Sequence, residues 1–305
     1  MPNFTAKDVQ ALRQITGAGM MDCKAALTEA DGDQEKAVLA LREKGLAAAA
    51  KKAGRIAAEG IVFATVADSG VAAVIEVNSE TDFVAKNEDF QKFVKDLASV
   101  VIERDPADLE ALGALPYPDS QYTVAETLRE RVLVIGENLQ IRRFARFAEP
   151  YNVSYVHMGG KIGVLVHLEV SDNLKGSEKL RELGYDIAMQ AAAMRPTALD
   201  RSQIPAEQID EERKVYVAQL VGEGKPENIA VKAAEGRLNK FFGETCLLEQ
   251  AFFKDEALTI QKLVEQKAKE LGGEIKLTDY RRFEKGEGIA KREDDFAAEV
   301  ANLVK

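Results

Sequence analysis

The chain has 305 residues, of which 51 are acidic and 41 are basic, so its net charge at neutral pH is −10. Hydrophobic residues make up 46% and charged residues 30%, which is ordinary for a folded protein of roughly two or three domains. No uncharged run approaches the ~20 residues of a membrane span, and the first residues do not resemble a secretory signal. The acidic balance argues against a nucleic-acid partner, which requires a basic surface.

The inventory of chemically active residues is small. The two cysteines, Cys23 and Cys246, cannot form a disulfide framework, and no CxxC pair indicates zinc, so a reducing cytoplasm is the expected location. The chain has two histidines, and phosphate-loop, dinucleotide-binding, nucleophile-elbow and zinc-protease motifs are absent. We therefore expect a protein without cofactors that binds another molecule, and not an enzyme.

Residues 1–55 predict three short helices. Thr5 can cap the first helix, with Asp8 in the position of a capping box. A Gly-Ala-Gly turn and an Asp-Gly-Asp turn separate the three segments. Gly45 is expected to interrupt the third helix, which leaves residues 46–55 as a helical or flexible linker.

The pattern then changes from helix to strand. Residues 61–66 and 71–77 are rich in β-branched side chains and flank an Asp-Ser-Gly turn, so they predict an antiparallel hairpin. The second strand is apolar on both faces and is expected to be central in its sheet. An amphipathic helix is predicted through residues 90–101. A proline-marked loop, a helix and a strand follow at residues 105–118, 124–135 and 139–147.

A second hairpin is predicted over residues 154–158 and 161–170. It is followed by an amphipathic helix that ends at Pro196. Residues 70–77 are similar to residues 161–170, and each segment is the second strand of a hairpin that precedes a polar loop and a helix. This internal repeat predicts two related antiparallel α+β subdomains.

Residues 205–242 predict two polar helices around Pro226. Their narrow apolar line through Ile209, Tyr216 and Leu220 favours a projecting antiparallel helical hairpin. The remaining predicted elements are a helix near residues 257–271, a strand near residues 274–283 and a short helix from about residue 294.

Residues 81–87, which read TDFVAKN, lie between a strand and a helix. Two interpretations are open. Composition favours a capped turn in which Phe83 closes the core, because apolar residues near helix starts usually pack inward. The alternative is an exposed aromatic wedge presented to a partner.

Met20 and Met21 begin the second predicted helix. Composition favours at least one of them in the small core, and the alternative is an adaptable thioether surface for a partner. His167 is expected to be a structural histidine, and His157 lies near an exposed Gly-Gly turn. A metal site is not expected because a third histidine is missing.

Four segments resemble signatures of the bacterial elongation factor Ts family. In chain order they are LR followed by TGAGMMDCK at residues 12–24, TDFVAKN at residues 81–87, IGEN followed by IRR at residues 135–143, and GEGI followed by DFAAEV at residues 286–300. Their order and spacing hold over essentially the whole chain, which makes the combination highly specific.

The resemblance implies an α+β fold with five parts. They are a three-helix ubiquitin-associated-like domain with its linker (1–55), a core N-subdomain (56–140), a core C-subdomain (141–204 and 243–284), a coiled-coil dimerisation hairpin (205–242) and a short C-terminal helical module (285–305).

The resemblance also implies a guanine-nucleotide exchange factor that binds elongation factor Tu carrying GDP, displaces its Mg²⁺ and promotes GDP release so that GTP can bind. The residues implied in Mg²⁺ displacement are Thr81, Asp82, Phe83 and Val84. The residues implied in partner contact are Leu12, Arg13, Met20, Met21, Ile135 and His157. No catalytic or metal-binding residue, nucleic acid or membrane is implied.

The sequence leaves three questions about function open. The hairpin around Pro226 either joins two complexes into a dimer of heterodimers or does not. A binding scaffold that uses the N-terminal helices without nucleotide exchange is one alternative function. A small-molecule enzyme with an unrecognised site is another.

Overall fold

A computed structural model describes residues 3–148 and 151–290 as a mixture of helices and antiparallel sheets, in agreement with the predicted α+β class. Within these two ranges no helix is long and apolar enough to span a bilayer. The chain divides into two compact units, the first comprising Met1–Phe63, Ile75–Phe144 and Glu284–Lys305, and the second comprising Ala64–Val74 and Ala145–Phe283. The five predicted domains divide the chain more finely, and their boundaries stay predictions.

The first unit begins with three helices, α1 (Ala6–Thr16), α2 (Met20–Glu29) and α3 (Gln34–Lys52). The predicted capping box at the start of α1 is present, and the Asp8 carboxylate accepts the Thr5 backbone N–H at 2.7 Å. The three helices share a small core in which the buried residues include Val9, Leu12, Cys23, Leu27 and Leu41.

The next elements in chain order are β1 (Glu59–Val66), β2 (Ala72–Ser79), α4 (Asp82–Ala85), α5 (Glu88–Arg104), α6 (Leu109–Ala114), α7 (Val124–Ile135) and β3 (Gln140–Phe147). The strands pair in the order β1-β2-β3, which confirms the central position predicted for the second strand. The predicted apolar stripe of α5 is buried, and Gly136 ends α7 in the left-handed conformation.

The predicted interruption of the third helix at Gly45 is wrong, because α3 runs through this residue without a break. Helix α3 packs against α7, and a Cβ built at Gly45 would lie 3.7 Å from the Arg129 carbonyl oxygen. Arg42 of α3 also forms an ion pair with Glu126 of α7 at 2.5 Å. Tertiary packing therefore outweighs the ~1 kcal/mol by which one glycine disfavours a helix.

The second unit contains β4 (Tyr151–His157), β5 (Ile162–Val170), α8 (Glu178–Met194), α9 (Ala206–Gly222), α10 (Glu227–Thr245), β6 (Ala251–Phe252), β7 (Asp255–Thr259), α11 (Ile260–Leu271) and β8 (Ile275–Glu284). The strands β4, β5 and β8 form one sheet in that order, and α8 packs on β4 and β5. Its core is apolar, with Val164, Val166 and Leu168 of β5 buried among Leu180, Leu183 and Ile187 of α8.

Helices α9 and α10 pack together as the predicted helical hairpin. Leu220 is buried with Ala230 and Ala234, while Ile209 and Tyr216 pack on a neighbouring cluster that includes Leu238. The apolar line predicted on α9 therefore faces the other helix. Helix α10 continues to Thr245, beyond the predicted end at residue 242.

Two short elements lie where the sequence pattern predicts none. Helix α6 occupies part of the predicted loop and is capped by Asp108, whose side chain accepts the Ala111 backbone N–H at 2.8 Å. The helix predicted from about residue 257 begins at Ile260, after the small β6-β7 hairpin. Both elements are too short to show a hydrophobic period. The helix predicted from about residue 294 lies outside the described residues.

Two glycines inside helices differ in the space around them. The atoms nearest to a Cβ at Gly45 lie at ordinary contact distance, whereas a Cβ at Gly184 of α8 would lie 2.4 Å from Val153 Cγ2. We expect Gly45→Ala to raise the free energy of unfolding by about 0.5–1 kcal/mol. Gly184→Ala should lower it by about 1–3 kcal/mol through overpacking.

Urea unfolding followed by circular dichroism at 222 nm measures both variants. Equal effects of the same sign would contradict this packing of α3 and α8.

Candidate partner-binding site

Phe83 projects from the turn between β2 and α5. It lies in the short helix α4 and is 77% exposed, whereas Val84 is 7% exposed. The inward packing of Phe83 that composition favours is therefore wrong. Val84 occupies the inward position instead, which leaves the adjacent aromatic ring on the outside.

An ion pair lies next to the Phe83 ring. Asp82 forms an ion pair with Lys86 at 2.8 Å, and the Lys86 ammonium lies 5.7 Å from the centre of the Phe83 ring. The hydrogen bond from Lys86 holds the pKa of the Asp82 carboxyl below its usual value. The exposed apolar ring thus carries a carboxylate beside it that is ionised at neutral pH.

The backbone before Phe83 is bound by the segment that follows α7. The Glu137 carboxylate accepts the backbone N–H groups of Glu80 and Thr81, both at 3.0 Å, and the Thr81 hydroxyl at 2.6 Å. In the opposite direction, the Glu80 carboxylate accepts the Asn138 backbone N–H at 2.6 Å. The sequence pattern assigns no role to Glu137, although it stands inside the IGEN segment that also contains Ile135.

The first turn of α2 presents two methionines. Met20 is 57% exposed and Met21 is 73% exposed, so the prediction that at least one of them fills the core is wrong. The inward positions of α2 are taken by Cys23, Ala26 and Leu27. An exposed methionine pair can adapt its shape to a partner because its side chains are unbranched and polarisable.

The turn before these methionines is fixed from inside the helical unit. The Thr16 hydroxyl donates to the Leu12 carbonyl at 2.8 Å and accepts the Ala18 backbone N–H at 3.3 Å. Gly17 has φ of +67°, which a glycine adopts without strain. Burial raises the pKa of the adjacent Cys23 thiol, so this group stays neutral.

Leu12 and Arg13 are neighbours on α1 that differ in burial. Arg13 is exposed, in keeping with a contact role, but Leu12 has no exposed surface and belongs to the three-helix core. Its predicted place among the contact residues requires correction, because a fully buried side chain supports α1 and cannot touch a partner directly.

Ile135 and the two histidines are half-buried. Ile135 is the last residue of α7, two positions before Glu137. His157 lies in the second unit, with Nδ1 2.8 Å from the Tyr155 hydroxyl. His167 is the expected structural histidine, since Nδ1 lies 2.7 Å from Asn152 Oδ1 and burial lowers the pKa of the imidazole. In the described part of the chain, no group of three or more His, Cys, Asp or Glu residues is placed to hold a metal ion.

Comparison with known proteins identifies the family. The family model described as Elongation factor TS matches residues 80–287. Elongation factor Ts of Syntrophotalea carbinolica is 51% identical over 99% of this chain and 99% of its own length. That of Clostridioides difficile is 51% identical over the full length of both chains. The chain belongs to the elongation factor Ts family.

Membership in the elongation factor Ts family places the chain among the elongation factors of protein biosynthesis. The range of the family model includes Phe83, Glu137 and His157. Met20 and Met21 precede that range, and they fall within the full-length similarity to the elongation factor Ts of Clostridioides difficile.

The opposite placement of Met21 and Leu12 can be tested by stability. Met21→Ala should change the free energy of unfolding by less than about 0.5 kcal/mol, because the side chain is exposed. Leu12→Ala should lower it by about 2–5 kcal/mol, because it leaves a cavity in the three-helix core. Thermal unfolding of the two variants measures the difference. A large loss of stability in Met21→Ala would show that the methionine is a core residue.

Proposed function

We propose that this member of the elongation factor Ts family accelerates the release of GDP from elongation factor Tu by displacing the Mg²⁺ of its partner. The observation that carries the proposal is the exposure of Phe83 on a turn whose backbone is held by Glu137. An aromatic side chain this exposed contributes little to its own fold and has its apolar surface available for a partner.

The driving energy comes from burying the Phe83 ring in the partner. Full burial of such a side chain stabilises a complex by about 1.5–3 kcal/mol. Mg²⁺ requires nearly ideal octahedral geometry, so a small displacement of the protein groups around it weakens its binding. Thr81, Asp82 and Val84 serve this step by forming the turn that carries the ring.

A second part of the proposed interface is the N-terminal surface of Arg13, Met20 and Met21. These side chains are exposed on α1 and α2, and they offer one cation and two adaptable apolar groups. Ile135 and His157 are proposed as further contacts on the grounds of the family resemblance. Leu12 supports this surface from within the helical core.

The proposed activity needs no catalytic acid, base or nucleophile. If this protein weakens the binding of GDP to elongation factor Tu, GDP must weaken the binding of this protein by the same factor. Nucleotide and exchange factor then replace each other on the partner, and GTP binding completes the exchange.

Phe83→Ala tests the proposal directly. This variant should fold normally and slow GDP release from elongation factor Tu by about tenfold or more, the effect of losing ~1.4 kcal/mol of transition-state stabilisation. Release of a fluorescent GDP analogue in a stopped-flow instrument measures the rate. Phe253→Ala is the matched control, because Phe253 is also exposed and also lies beside a lysine ammonium, at 5.6 Å.

Removal of Mg²⁺ separates the proposed mechanism from simple binding. In excess EDTA, the GDP-release rates obtained with the wild type and with Phe83→Ala should be more similar. The reason is that the Mg²⁺ that the ring is proposed to displace has already been removed from elongation factor Tu. If Phe83→Ala released GDP at the wild-type rate in the presence of Mg²⁺, the proposed role of Phe83 in displacing the metal would be wrong. A wild-type protein that binds elongation factor Tu without accelerating release would be a scaffold.

The helical hairpin is proposed to join two complexes. Four large apolar side chains on α9 and α10 remain exposed, namely Val215, Val221, Ile229 and Val231. We expect Val221→Lys with Ile229→Lys to reduce the complex from two copies of each protein to one, as measured by light scattering. Leu109→Lys, an equally exposed position outside the hairpin, is the control. A wild-type complex with one copy of each protein would contradict this role.

A further inference from the structure

We propose that Glu137 is a positioning residue that holds the Phe83 wedge in the conformation that enters the partner. The inference rests on the proposed exchange function and deepens it. It assigns to a residue outside the wedge the task of fixing the backbone from which the ring projects.

The need for such a residue follows from the exposure of Phe83. A ring that is 77% exposed has too few contacts within its own fold to define its position. Helix α4 has only four residues, which is too short to be stable without support. The direction of the ring therefore depends on the buried neighbour Val84 and on contacts made by the backbone just before α4.

Glu137 supplies these contacts with both oxygens of its carboxylate. Oε2 accepts the backbone N–H groups of Glu80 and Thr81 at 3.0 Å each, and Oε1 accepts the Thr81 hydroxyl at 2.6 Å. Hydrogen bonds to an ionised acceptor are about twice as strong as those between neutral groups. Three of them converge within three residues of Phe83, on the side where the chain enters α4.

The contact is reciprocal, which restricts movement in both directions. Glu80 Oε1 accepts the Asn138 backbone N–H at 2.6 Å, and the Asn138 side chain donates to the Arg55 carbonyl at 2.8 Å. Ser79 Oγ donates to the Thr81 carbonyl at 2.8 Å and closes the turn from within. The segments 79–81 and 137–138 therefore fix each other although they are far apart in sequence.

Glu137 is itself attached to a rigid element. It follows Gly136, which ends α7 with φ of +84°, and the opposite end of α7 carries a complete capping box formed by Thr123 and Glu126. A carboxylate placed one residue beyond such a helix has little freedom to follow a moving turn. Phe83 is thus held ready before the encounter, which lowers the entropy lost on binding.

Glu137→Ala and Glu137→Gln form a matched pair for the test. Alanine removes every contact, whereas glutamine keeps a neutral oxygen that can accept the two backbone N–H groups. We expect Glu137→Ala to slow GDP release from elongation factor Tu about tenfold, and Glu137→Gln to stay within about threefold of the wild type. Equal rates for the wild type and Glu137→Ala would overturn the proposal.

The same substitution in the Phe83→Ala background distinguishes positioning from a separate role. If Glu137 acts through the ring, Glu137→Ala should have no further effect when the ring is absent. An undiminished tenfold loss in that background would overturn the proposal, because it would show that Glu137 contacts the partner or supports the fold elsewhere.

A spectroscopic measurement tests the free protein without elongation factor Tu. The chain contains no tryptophan, so Phe83→Trp introduces a single reporter. Glu137→Ala should increase the amplitude of fast motion in the time-resolved fluorescence anisotropy of this indole, and Glu137→Gln should restore most of the order. Unchanged anisotropy in Glu137→Ala would overturn the proposal.

Failure of the inference and failure of the proposed function give different results. If the wild type does not accelerate GDP release, the exchange function is lost, while the anisotropy still decides whether Glu137 orders the turn. If Glu137→Ala does not fold, as judged by circular dichroism, Thr81→Val removes the hydroxyl donor alone. A two- to threefold slower release with increased indole motion would then support the proposal, and no change in either quantity would overturn it.

Discussion

The hydrogen bonds between the Glu137 carboxylate and the backbone of Glu80 and Thr81 set the position from which Phe83 leaves the fold. The helix that carries this exposed ring has only four residues, and Val84 is its one buried side chain. An exposed ring can displace groups in a partner only if the backbone that carries the ring does not move instead. The account of exchange therefore depends on this junction between the end of α7 and the turn before α4.

The other proposed contacts share this arrangement, in which an exposed side chain lies next to buried residues of the same helix. Met20 and Met21 project from the first turn of α2, while Cys23 one turn later is buried in the three-helix core. Leu12 lies in that core and Arg13 beside it faces outward. In each case one residue stabilises the core while its neighbour in sequence is available to a partner. This division suits the contact role proposed for the exposed side chains.

The sequence pattern predicts the regular elements well because their period extends over several turns or strands. It identifies the stripe of α5, the central β2 and the apolar line of α9, all of which the structure contains. It does not predict the direction of Phe83, since a helix of four residues has no period and either Phe83 or Val84 could face inward. The contact of Glu137 with Thr81 depends on tertiary structure, and only the family resemblance draws attention to its segment. The continuity of α3 through Gly45 likewise depends on packing against α7.

The most direct test is to observe the Phe83 ring during exchange. 4-Fluorophenylalanine placed at position 83 alone gives one ¹⁹F resonance, whose shift between H₂O and D₂O reports contact with solvent. If Phe83 enters the partner, this solvent shift is present in the free protein, disappears when nucleotide-free elongation factor Tu binds, and returns when excess GDP displaces this protein. A ring that keeps its full solvent shift in the nucleotide-free complex would contradict the account, because Phe83 would then lie outside the interface.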